Sequence, residues 1–516
     1  MQMPLSALFA GVPTLSPLPT LEAAHITSDT RQVSAGSIFF CIRGFTHDGH
    51  DFAAKALELG AAAVVCERGL DLGERQILVP DTHEAYALCC ANLFGNPQRR
   101  LRLVGVTGTN GKTTITHLIR DVLQGLGHKT GLIGTIETDL GGVTFPAKYT
   151  TPDPLTFYSI LAQMADAGCE YAVMEVSSHG LDQKRVAGCR FAVGVFTNLT
   201  QDHLDYHGTM EAYFQAKKSL FSLCDAGVVN LDDSYGRRIV QEAPCPIRSF
   251  STSQDSADYT AKSIELRADG SSFAFVGSGM IARVKFPVPG EFSVSNAMAA
   301  IGACLALGCD LQKTTALLAG SHGVPGRFEV LRTGTPYTVI RDYAHTPDAI
   351  EKVLSALRAV TRGRIMILFG CAGNRDRKKR VHMTDLAARL ADFVVLTSDN
   401  PRSEDPMQII EDAKPGLLQH STPYAIIPDR YEAIGWALSH CRQGDTLLLA
   451  GKGHEDYQVL KHGTIHFDER EVVAELLARG ISEKTEDEQG GTDETFGNCR
   501  GRSAAASALM RRSARW

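Results

Sequence analysis

The chain has 516 residues, of which 44% are hydrophobic and 21% charged, and its formal net charge at pH 7 is −6. This length predicts two to four domains with substantial cores, and the mildly acidic balance argues against general nucleic-acid binding. The N-terminal segment has no basic region before its apolar part, so no secretory signal is expected. The longest apolar stretch, residues 297–309, is too short to span a bilayer, so no membrane association is expected.

The 13 cysteines are scattered along the chain and form no CxxC pairs. In a chain long enough to form a hydrophobic core, such cysteines are expected to be small buried side chains, not disulfides or zinc ligands. This usage favours a reducing compartment, the cytoplasm.

Residues 1–98 alternate strand and helix patterns and predict a small α/β domain. Strands are expected at 37–41, 61–66 and 77–79, and a helix at 50–59. Two polar stretches, 28–31 and 43–50, stand out in this domain. Their hydroxyls, arginine and backbone N–H groups would suit an anionic, hydroxyl-rich ligand, although such stretches are more often plain turns.

Residues 99–330 open on LRLVGVTGTNGKTTIT at 101–116, which predicts a buried strand, a glycine turn and a helix. This geometry cradles a nucleotide phosphate, because glycines let backbone N–H groups approach it and the helix N-terminus attracts anions. Lys112 would reach the terminal phosphates and Thr113 would bind Mg²⁺. The loop is a shorter form of the standard phosphate-loop pattern, because Val106 stands where that pattern has its first glycine.

Three further features of this region carry candidate ligands. A strand at 171–176 ends near Glu175, whose carboxylate beside a phosphate loop is an expected Mg²⁺ partner. A strand at 191–196 precedes the segment 202–208, which is dense in groups that could hold a metal. A helix at 209–220 then carries Lys217 and Lys218.

Residues 331–482 predict four strands, each followed by a polar cluster. The strands are 338–341, 364–369, 393–396 and 446–450; the clusters are 342–347, 370–376, 397–402 and 451–455. Ligands bind at the carboxyl edge of open parallel sheets, so four polar clusters on one edge are expected to bind a ligand and are hard to explain as ordinary loops. Residues 483–516 are acidic and polar, then rich in Ala, Ser and Arg, and are expected to be disordered without catalytic groups.

Seven motifs in order along residues 20–480 together resemble the Mur ligases, and within them the branch that adds the third residue of the peptidoglycan stem peptide. The motifs are TGTNGKTT (107–114), MEVSSHG (174–180), TNLTQDHLDYHG (197–208), GRFE (326–329), DYAHTP (342–347), DNPR (399–402) and GKGHEDYQ (451–458).

The resemblance implies an α/β protein of three domains: a small UDP-sugar domain, a central P-loop ATPase with a mostly parallel sheet, and a C-terminal Rossmann-like domain for an amino acid. ATP would phosphorylate the γ-carboxylate of D-glutamate in UDP-N-acetylmuramoyl-L-alanyl-D-glutamate. The amine of the next amino acid would attack this acyl phosphate, giving an amide, ADP and phosphate. The family pattern also implies a cytoplasmic monomer that binds neither nucleic acid nor membrane.

The resemblance assigns residues to ATP, to Mg²⁺ and to catalysis. Those for ATP are Gly108, Thr109, Asn110, Gly111, Lys112, Thr113, Thr114, Asn296 and Arg327. Those for metal are Thr113, Glu175, His203 and Lys217, and the catalytic set is Lys112, Glu175, His203, Lys217, Asp342 and His345. In the family the lysine corresponding to Lys217 carries a CO₂-derived carbamate, which turns a cation into an anion able to ligate or position Mg²⁺. Lys218 is the competing candidate.

The residues assigned to the UDP-muramoyl dipeptide are Ser28, Thr30, Phe45, Thr46, His47, Thr150, Thr151, Ser177, Gln183 and Arg185. Two of them depart from the family pattern. Ser28 stands where an aliphatic residue is common, and Thr30 stands where serine is common and keeps the hydroxyl.

Enzymes of this branch add meso-diaminopimelate or L-lysine, which differ by one distal carboxylate. The motif DNPR is associated with diaminopimelate, because Arg402 can bind that carboxylate bidentately. The alternative for Arg402 is a surface salt bridge. Arg375 would bind a further carboxylate, and the Gly451 carbonyl with Glu455 would hold the distal ammonium. The assigned set is Arg375, Asp399, Asn400, Pro401, Arg402, Gly451 and Glu455.

Three alternatives stay open. The first is the lysine-adding branch, and the second is a ligase similar to folylpolyglutamate synthase, which shares the ATPase core. The third is a nucleotide-binding switch or scaffold without ligase activity.

Overall fold

The structure is a computed structural model that describes residues 2–44, 47–267, 270–321 and 323–480. Its elements form three successive groups with separate main sheets. The predicted site residues Phe45 and Thr46 lie outside the described residues, as does the tail predicted from residue 483.

The first group contains β1 (Met3–Pro4), α1 (Leu5–Leu8), β2 (Glu22–Ala23), β3 (His25–Thr27), β4 (Ser37–Phe40), α2 (Ala53–Glu58), β5 (Ala61–Cys66), β6 (Gln76–Leu78) and α3 (Thr82–Leu93). Strands β3, β4, β5 and β6 pair in that order, all parallel. The three strands predicted from the sequence correspond to β4, β5 and β6 and are confirmed. The helix predicted at 50–59 is a 3₁₀ turn, Gly49–Phe52, followed by α2, because Asp48 caps the first turn through the His50 N–H.

The second group contains β7 (Arg102–Thr107), α4 (Lys112–Gly125), β8 (Thr130–Ile133), β9 (Glu137–Asp139), β10 (Thr144–Pro146), α5 (Pro154–Asp166), β11 (Tyr171–Glu175), α6 (Ser178–Asp182), β12 (Phe191–Phe196), α7 (Leu204–His207), α8 (Met210–Lys218), β13 (Cys224–Asn230), α9 (Ser234–Glu242), β14 (Ile247–Ser251), β15 (Tyr259–Arg267), β16 (Gly270–Gly277), β17 (Met280–Phe286), α10 (Glu291–Ala306) and α11 (Leu311–Ala319).

These strands form one sheet in the order β10-β9-β8-β11-β7-β12-β13-β14-β15-β16-β17. The run from β8 to β15 is parallel, which confirms the mostly parallel sheet. The outer strands at both edges are antiparallel, and the sequence analysis did not predict them. A period of two is nevertheless visible in β17, where Ala282, Val284 and Phe286 are buried and Arg283 and Lys285 are exposed.

The central sheet is covered on both faces. In β11, Ala172 and Met174 belong to one apolar core, and Tyr171 and Val173 belong to the core on the opposite face. The first of these cores continues into the first group, where it includes residues such as Tyr86. The first two groups therefore share one continuous apolar core.

The third group contains β18 (Glu329–Leu331), β19 (Thr338–Asp342), α12 (Pro347–Val360), β20 (Ile365–Phe369), α13 (Lys378–Leu390), β21 (Phe393–Leu396), α14 (Pro406–Leu417), β22 (Tyr424–Ile426), α15 (Arg430–His440), β23 (Thr446–Ala450), β24 (Tyr457–Leu460), β25 (Gly463–His466) and α16 (Glu469–Ala478).

Its sheet has the order β18-β19-β23-β20-β21-β22 and is parallel from β19 to β22, while β24 and β25 form a separate hairpin. The four predicted strands are confirmed as β19, β20, β21 and β23. Their carboxyl ends share one edge, so the four polar clusters that follow them gather there. Strand β18 begins at Glu329, just before the predicted boundary at 330/331, and the domain bounds stay a prediction.

The described cysteines are free, and nine of the twelve are buried, as the sequence analysis expected. Within the described ranges, none of the helices combines the length and apolarity needed to cross a bilayer.

A buried ion pair holds the ligand edge of the third sheet. The side chains of Arg430 and Glu469 are both 0% exposed, and their closest N–O distance is 2.7 Å. Arg430 also donates to the carbonyls of Ser398 (3.1 Å) and Ala450 (2.9 Å), the last residues before DNPR and GKGHEDYQ. The pair therefore sets the spacing of two predicted ligand loops.

We expect Arg430→Met to lower the free energy of unfolding of the third group by ~3–5 kcal/mol, because it leaves the Glu469 carboxylate buried without its partner. The measurement is urea unfolding followed by circular dichroism. Arg389→Met is the control, because the Arg389–Glu351 pair is half exposed and should contribute ~1 kcal/mol or less. Equal effects of the two substitutions would contradict the role given to Arg430.

Candidate active site

The loop between β7 and α4 needs glycine at two positions. Gly108 has φ +145°, and a Cβ there would lie 1.8 Å from Thr197 Oγ1. Gly111 has φ +88°, and a Cβ there would lie 2.6 Å from Asn296 Oδ1. Both conformations are unfavourable for other residues. No side chain caps the N-terminus of α4, so its first N–H groups face the loop, an arrangement suited to phosphate.

Two lysines converge on one carbonyl of this loop. Lys112 Nζ donates to Gly108 O at 2.9 Å and to Thr109 O at 2.8 Å, and Lys217 Nζ donates to the same Gly108 O at 2.7 Å. Burial, followed by the nearby Lys112 charge, lowers the pKa of Lys217 well below its ordinary value. Burial likewise lowers the pKa of Lys112. Burial and the Lys112 charge both shift Lys217 toward its neutral amine.

The structure separates the two adjacent lysines of α8. Lys217 is 1% exposed and lies over the Tyr213 ring, with Nζ 4.7 Å from the ring centroid. Lys218 points away and pairs with Glu242 on α9 at 2.7 Å. Only Lys217 of this pair meets the phosphate loop.

Glu175 is a buried carboxylate at the end of β11. Its Oε1 accepts from the Thr135 N–H at 2.7 Å, and its Oε2 accepts from Thr135 Oγ1 at 3.1 Å. Within the described ranges, no cationic side chain lies within 4 Å of it, and no group of three or more His, Cys, Asp and Glu could hold a metal. Mg²⁺ is bound in proteins through one or two carboxylates plus substrate phosphates and waters, so Glu175 and Thr113, which line the same cavity, fit this ion.

His203 has φ +53° and follows Asp202, a partly buried carboxylate (13% exposed) to which the sequence analysis gave no role. Asp202 lies 3.4 Å from His203 Nε2 and pairs with Lys379 of α13. Although burial opposes it, the charges of His203 and Lys379 hold the pKa of Asp202 well below its usual range. The carboxylate thus joins the central and third sheets.

Other contacts also cross between these two groups. The Asn110 amide donates to Asp348 Oδ2 of α12 at 2.7 Å, and Arg327, in the segment that joins the two groups, donates through Nη2 to Thr113 Oγ1 at 3.0 Å. Asp342 is buried and accepts from the N–H groups of Phe328 and Ala344, and burial raises its pKa.

Together these contacts border a half-open cavity of about 510 Å³ between the two sheets. The predicted site residues that line it are Thr109, Asn110, Gly111, Lys112, Thr113, Thr114, Thr150, Glu175, His203, Asn296, Arg327, Asp342 and His345.

A second set of predicted residues lies around α6. Arg185 Nη1 donates to Thr151 O at 2.6 Å, and its Nη2 donates to Gln183 Oε1 at 2.7 Å. The Thr151 hydroxyl bridges Glu175 O and the Ser177 N–H. Thr150 Oγ1 lies 3.0 Å from the Thr135 hydroxyl that holds Glu175. These five predicted residues therefore form one network with the candidate metal carboxylate.

The first sheet contributes the remaining residues of that set. Ser28 and Thr30 follow β3, and the exposed His47 lies in the loop after β4, so all three lie beyond the carboxyl ends of parallel strands. Lys184 links this sheet to α6, because it pairs with Asp81 at 3.0 Å and with Glu84 on α3 at 2.6 Å.

The residues predicted for the amino acid gather at the edge of the third sheet, outside the lining of the cavity. Arg402 has φ +56°, and its Nη1 donates to Gly373 O at 3.4 Å. Within the described ranges it has no carboxylate within 4 Å, so the surface salt bridge is not formed there. Desolvation and the like charge of Arg402 lower the pKa of Arg375, which places two guanidinium groups near each other.

Sequence reasoning missed four residues of this arrangement: Thr135, Asp202, Tyr213 and Lys452. Asp202 and Lys452 lie inside recognised motifs, so their position was a usable signal. Thr135 and Tyr213 have no such signal, because they reach the site only through the packing of the loop after β8 and of helix α8.

The phosphate loop, its two lysines and the cavity that the third group borders are the features of a nucleotide-dependent enzyme. Three family models match the chain: "Mur ligase family, catalytic domain" (residues 22–92), "Mur ligase middle domain" (106–304) and "Mur ligase, glutamate ligase domain" (326–453). The chain belongs to the Mur ligase family, which confirms the resemblance seen in its motifs.

One relative, from Geobacillus thermodenitrificans, is named UDP-N-acetylmuramoyl-L-alanyl-D-glutamate–2,6-diaminopimelate ligase. It is 45% identical over 461 residues, covering 88% of this chain and 94% of the relative. A solved structure titled as the same ligase has a TM-score of 0.66 and 33% identity, covering 93% of this chain and 99% of that one. Folylpolyglutamate synthase from Mycobacterium tuberculosis has a TM-score of 0.60 at 20% identity, covering 71% and 92%, and shares the fold.

We expect Lys379→Ala to lower kcat/KM by about tenfold, because it removes the partner of Asp202 that joins the two domains around the cavity. Phosphate release from ATP is the measurement. Lys378→Ala is the matched control, because Lys378 is the exposed neighbour on the same helix and should change kcat/KM by less than about twofold. An unchanged rate for Lys379→Ala would remove this contact from the catalytic cycle.

Proposed function

We propose that the protein joins meso-2,6-diaminopimelate to the D-glutamate γ-carboxylate of UDP-N-acetylmuramoyl-L-alanyl-D-glutamate, using ATP and forming an acyl phosphate. The observation that carries the proposal is the convergence of Lys112, Lys217 and Glu175 at a phosphate loop enclosed by the third domain. Membership of the Mur ligase family and the name of the Geobacillus relative support the substrates. The free cysteines support a place in the reducing cytoplasm.

ATP would lie in the cavity with its phosphates on the loop from Gly108 to Thr114. Lys112, which now donates to two carbonyls of its own loop, would turn to the terminal phosphates. Asn296 and Arg327 would contact the nucleotide from either side of the loop. Thr113, Glu175 and His203 would hold Mg²⁺, which supplies charge neutralisation at the transferring phosphate.

The UDP-muramoyl dipeptide would extend from the first sheet to the network around α6. Ser28, Thr30 and the loop with His47 would meet the UDP-sugar, and Thr150, Thr151, Ser177, Gln183 and Arg185 would meet the sugar and peptide. Because this network includes the backbone and partners of Glu175, it would bring the glutamate γ-carboxylate beside the ATP phosphates. Such positioning is the chief requirement of phosphoryl transfer.

A carboxylate is a poor acyl donor, so phosphate is installed as a leaving group before the amine attacks. Asp342 and His345 reach the cavity from the third domain and would complete the site when the domains close. Arg402 and Arg375 would bind the carboxylates of diaminopimelate, while Glu455 and the Gly451 carbonyl would hold its distal ammonium. A partly buried guanidinium such as that of Arg402 is unfavourable without a carboxylate partner, which disfavours L-lysine.

The test is phosphate release from ATP with the UDP-muramoyl dipeptide, comparing meso-diaminopimelate with L-lysine. Release with diaminopimelate alone is the expected result. Release with lysine alone would keep the ligase and overturn the role of DNPR. No release with either amino acid would favour a nucleotide-binding switch or another acceptor, such as a folate.

We expect Lys217→Ala to lower kcat by at least about a hundredfold, because it removes the group that would carry the carbamate. Bicarbonate or a short carboxylic acid should restore part of the activity by supplying the missing anion. Lys218→Ala, whose lysine pairs with Glu242 outside the site, should keep full activity. Full activity in Lys217→Ala would exclude the lysine from the mechanism.

Arg402→Ala should raise the KM for diaminopimelate by about tenfold to a hundredfold, because the distal carboxylate loses its bidentate partner. The KM for ATP should stay unchanged, since the residue lies outside the cavity lining. Arg377→Ala is the control: that exposed arginine pairs with Glu404 nearby and should leave both constants unchanged. An unchanged KM for diaminopimelate in Arg402→Ala would contradict the specificity argument.

A further inference from the structure

The motif after β23 contributes a buried lysine to the predicted amino-acid site. The side chain of Lys452 is 0% exposed. Its Nζ lies 3.2 Å from Asn400 Oδ1, 3.2 Å from Glu455 Oε2 and 3.6 Å from Asp399 Oδ1. Three residues assigned to the amino acid therefore converge on one ammonium that is itself enclosed by protein.

The contacts of Lys452 orient the Asn400 amide. Its Oδ1 accepts from Lys452 and from the Val459 N–H at 2.9 Å, while its Nδ2 donates to Glu455 Oε2 at 2.9 Å. A flipped amide would face two donors with its own NH₂ group, so only one orientation satisfies the network. The same ammonium also fixes one oxygen of Glu455.

The hairpin formed by β24 and β25 holds the DNPR loop from the other side. Gln458 Nε2 donates to Asp399 O at 2.6 Å, and the Arg402 N–H donates to Val459 O at 3.0 Å. The latter bond holds Arg402 in a left-handed conformation that a non-glycine residue adopts only when its surroundings impose it. The motif GKGHEDYQ thus determines the shape of the motif DNPR.

The charges in this cluster are not balanced by protein alone. Asp399 and Glu455 supply two carboxylates, and Lys452 supplies one ammonium. Asp399 Oδ1 is buried and has no hydrogen-bond partner among the described residues. A buried carboxylate in this state favours a further cation, such as the ammonium of an amino-acid substrate.

We propose that Lys452, assisted by Gln458, is a positioning residue for the amino-acid substrate: it holds Asn400 and Glu455 in the arrangement that receives the substrate ammonium. This inference rests on the proposed function and adds a residue that does not touch the substrate. The proposed role of Lys452 is geometric. A purely electrostatic role would predict the opposite change in the KM for diaminopimelate when the lysine is replaced. Removing the lysine charge would by itself strengthen the attraction of the site for an ammonium.

The test compares Lys452→Met with the wild-type protein in two assays. The first traps the acyl phosphate with hydroxylamine, using ATP and the UDP-muramoyl dipeptide without amino acid. The second measures KM for meso-diaminopimelate, ATP and the dipeptide by phosphate release. We expect unchanged trapping and unchanged KM for ATP and dipeptide, with a KM for diaminopimelate raised by at least about tenfold.

Lys461→Met is the matched control, because Lys461 is an exposed lysine in the turn of the same hairpin. It should behave as the wild-type protein in both assays. Lys452→Arg keeps the charge and should recover part of the affinity for diaminopimelate. An unchanged or lowered KM for diaminopimelate in Lys452→Met would overturn the proposal.

Gln458→Met keeps the test decisive if Lys452→Met does not fold, because it removes the hydrogen bond to Asp399 O and leaves every charge in place. It should raise the KM for diaminopimelate by about threefold or more, and an unchanged KM would overturn the proposal. Failure of the proposed function is a separate result: the wild-type protein itself would then release no phosphate with diaminopimelate.

Discussion

The carbonyl oxygen of Gly108 accepts hydrogen bonds from two lysine side chains that lie far apart in the sequence of the central domain. Lys112 comes from the start of α4, whereas Lys217 comes from α8. Two buried ammonium groups on one oxygen repel each other, so one of them favours its neutral form unless an anion is present. This constraint suits a site that receives ATP phosphates, and a neutral amine is the form of lysine that can combine with CO₂.

The third domain has a different electrostatic design, in which buried cations hold the loops at the ligand edge. Arg341 pairs with Glu329 and Asp468, Arg380 pairs with Glu404 and Asp412, and Arg430 pairs with Glu469. Removing one partner of such a pair leaves an uncompensated buried charge. These pairs and Lys452 connect the loops after β20, β21 and β23 along one edge of the sheet.

The strands and the phosphate loop were predictable because their signals are local. The apolar runs that form β5, β12, β21 and β23 match the structure closely, since buried parallel strands are continuously apolar. The antiparallel edges were not predicted, although the side chains of β17 alternate between buried and exposed, as those of a half-buried strand should. Each antiparallel edge pair joins strands that follow one another in the chain, such as β16 with β17, so this alternation was a usable local signal.

The sequence by itself determined which motifs are present. Their chemistry indicated a phosphate-binding loop in the central unit and, later in the chain, several strands that end in polar clusters. It could not distinguish Lys217 from Lys218 by chemistry, because both are lysines on one helix. The family motif favoured Lys217, and the tertiary structure supplies the physical reason: residues one apart on a helix point about 100° away from each other, so only one can face Gly108. The same holds for Asp202, Thr135 and Lys452: their partners lie on other loops and helices, so their roles arise from packing between segments far apart in the chain.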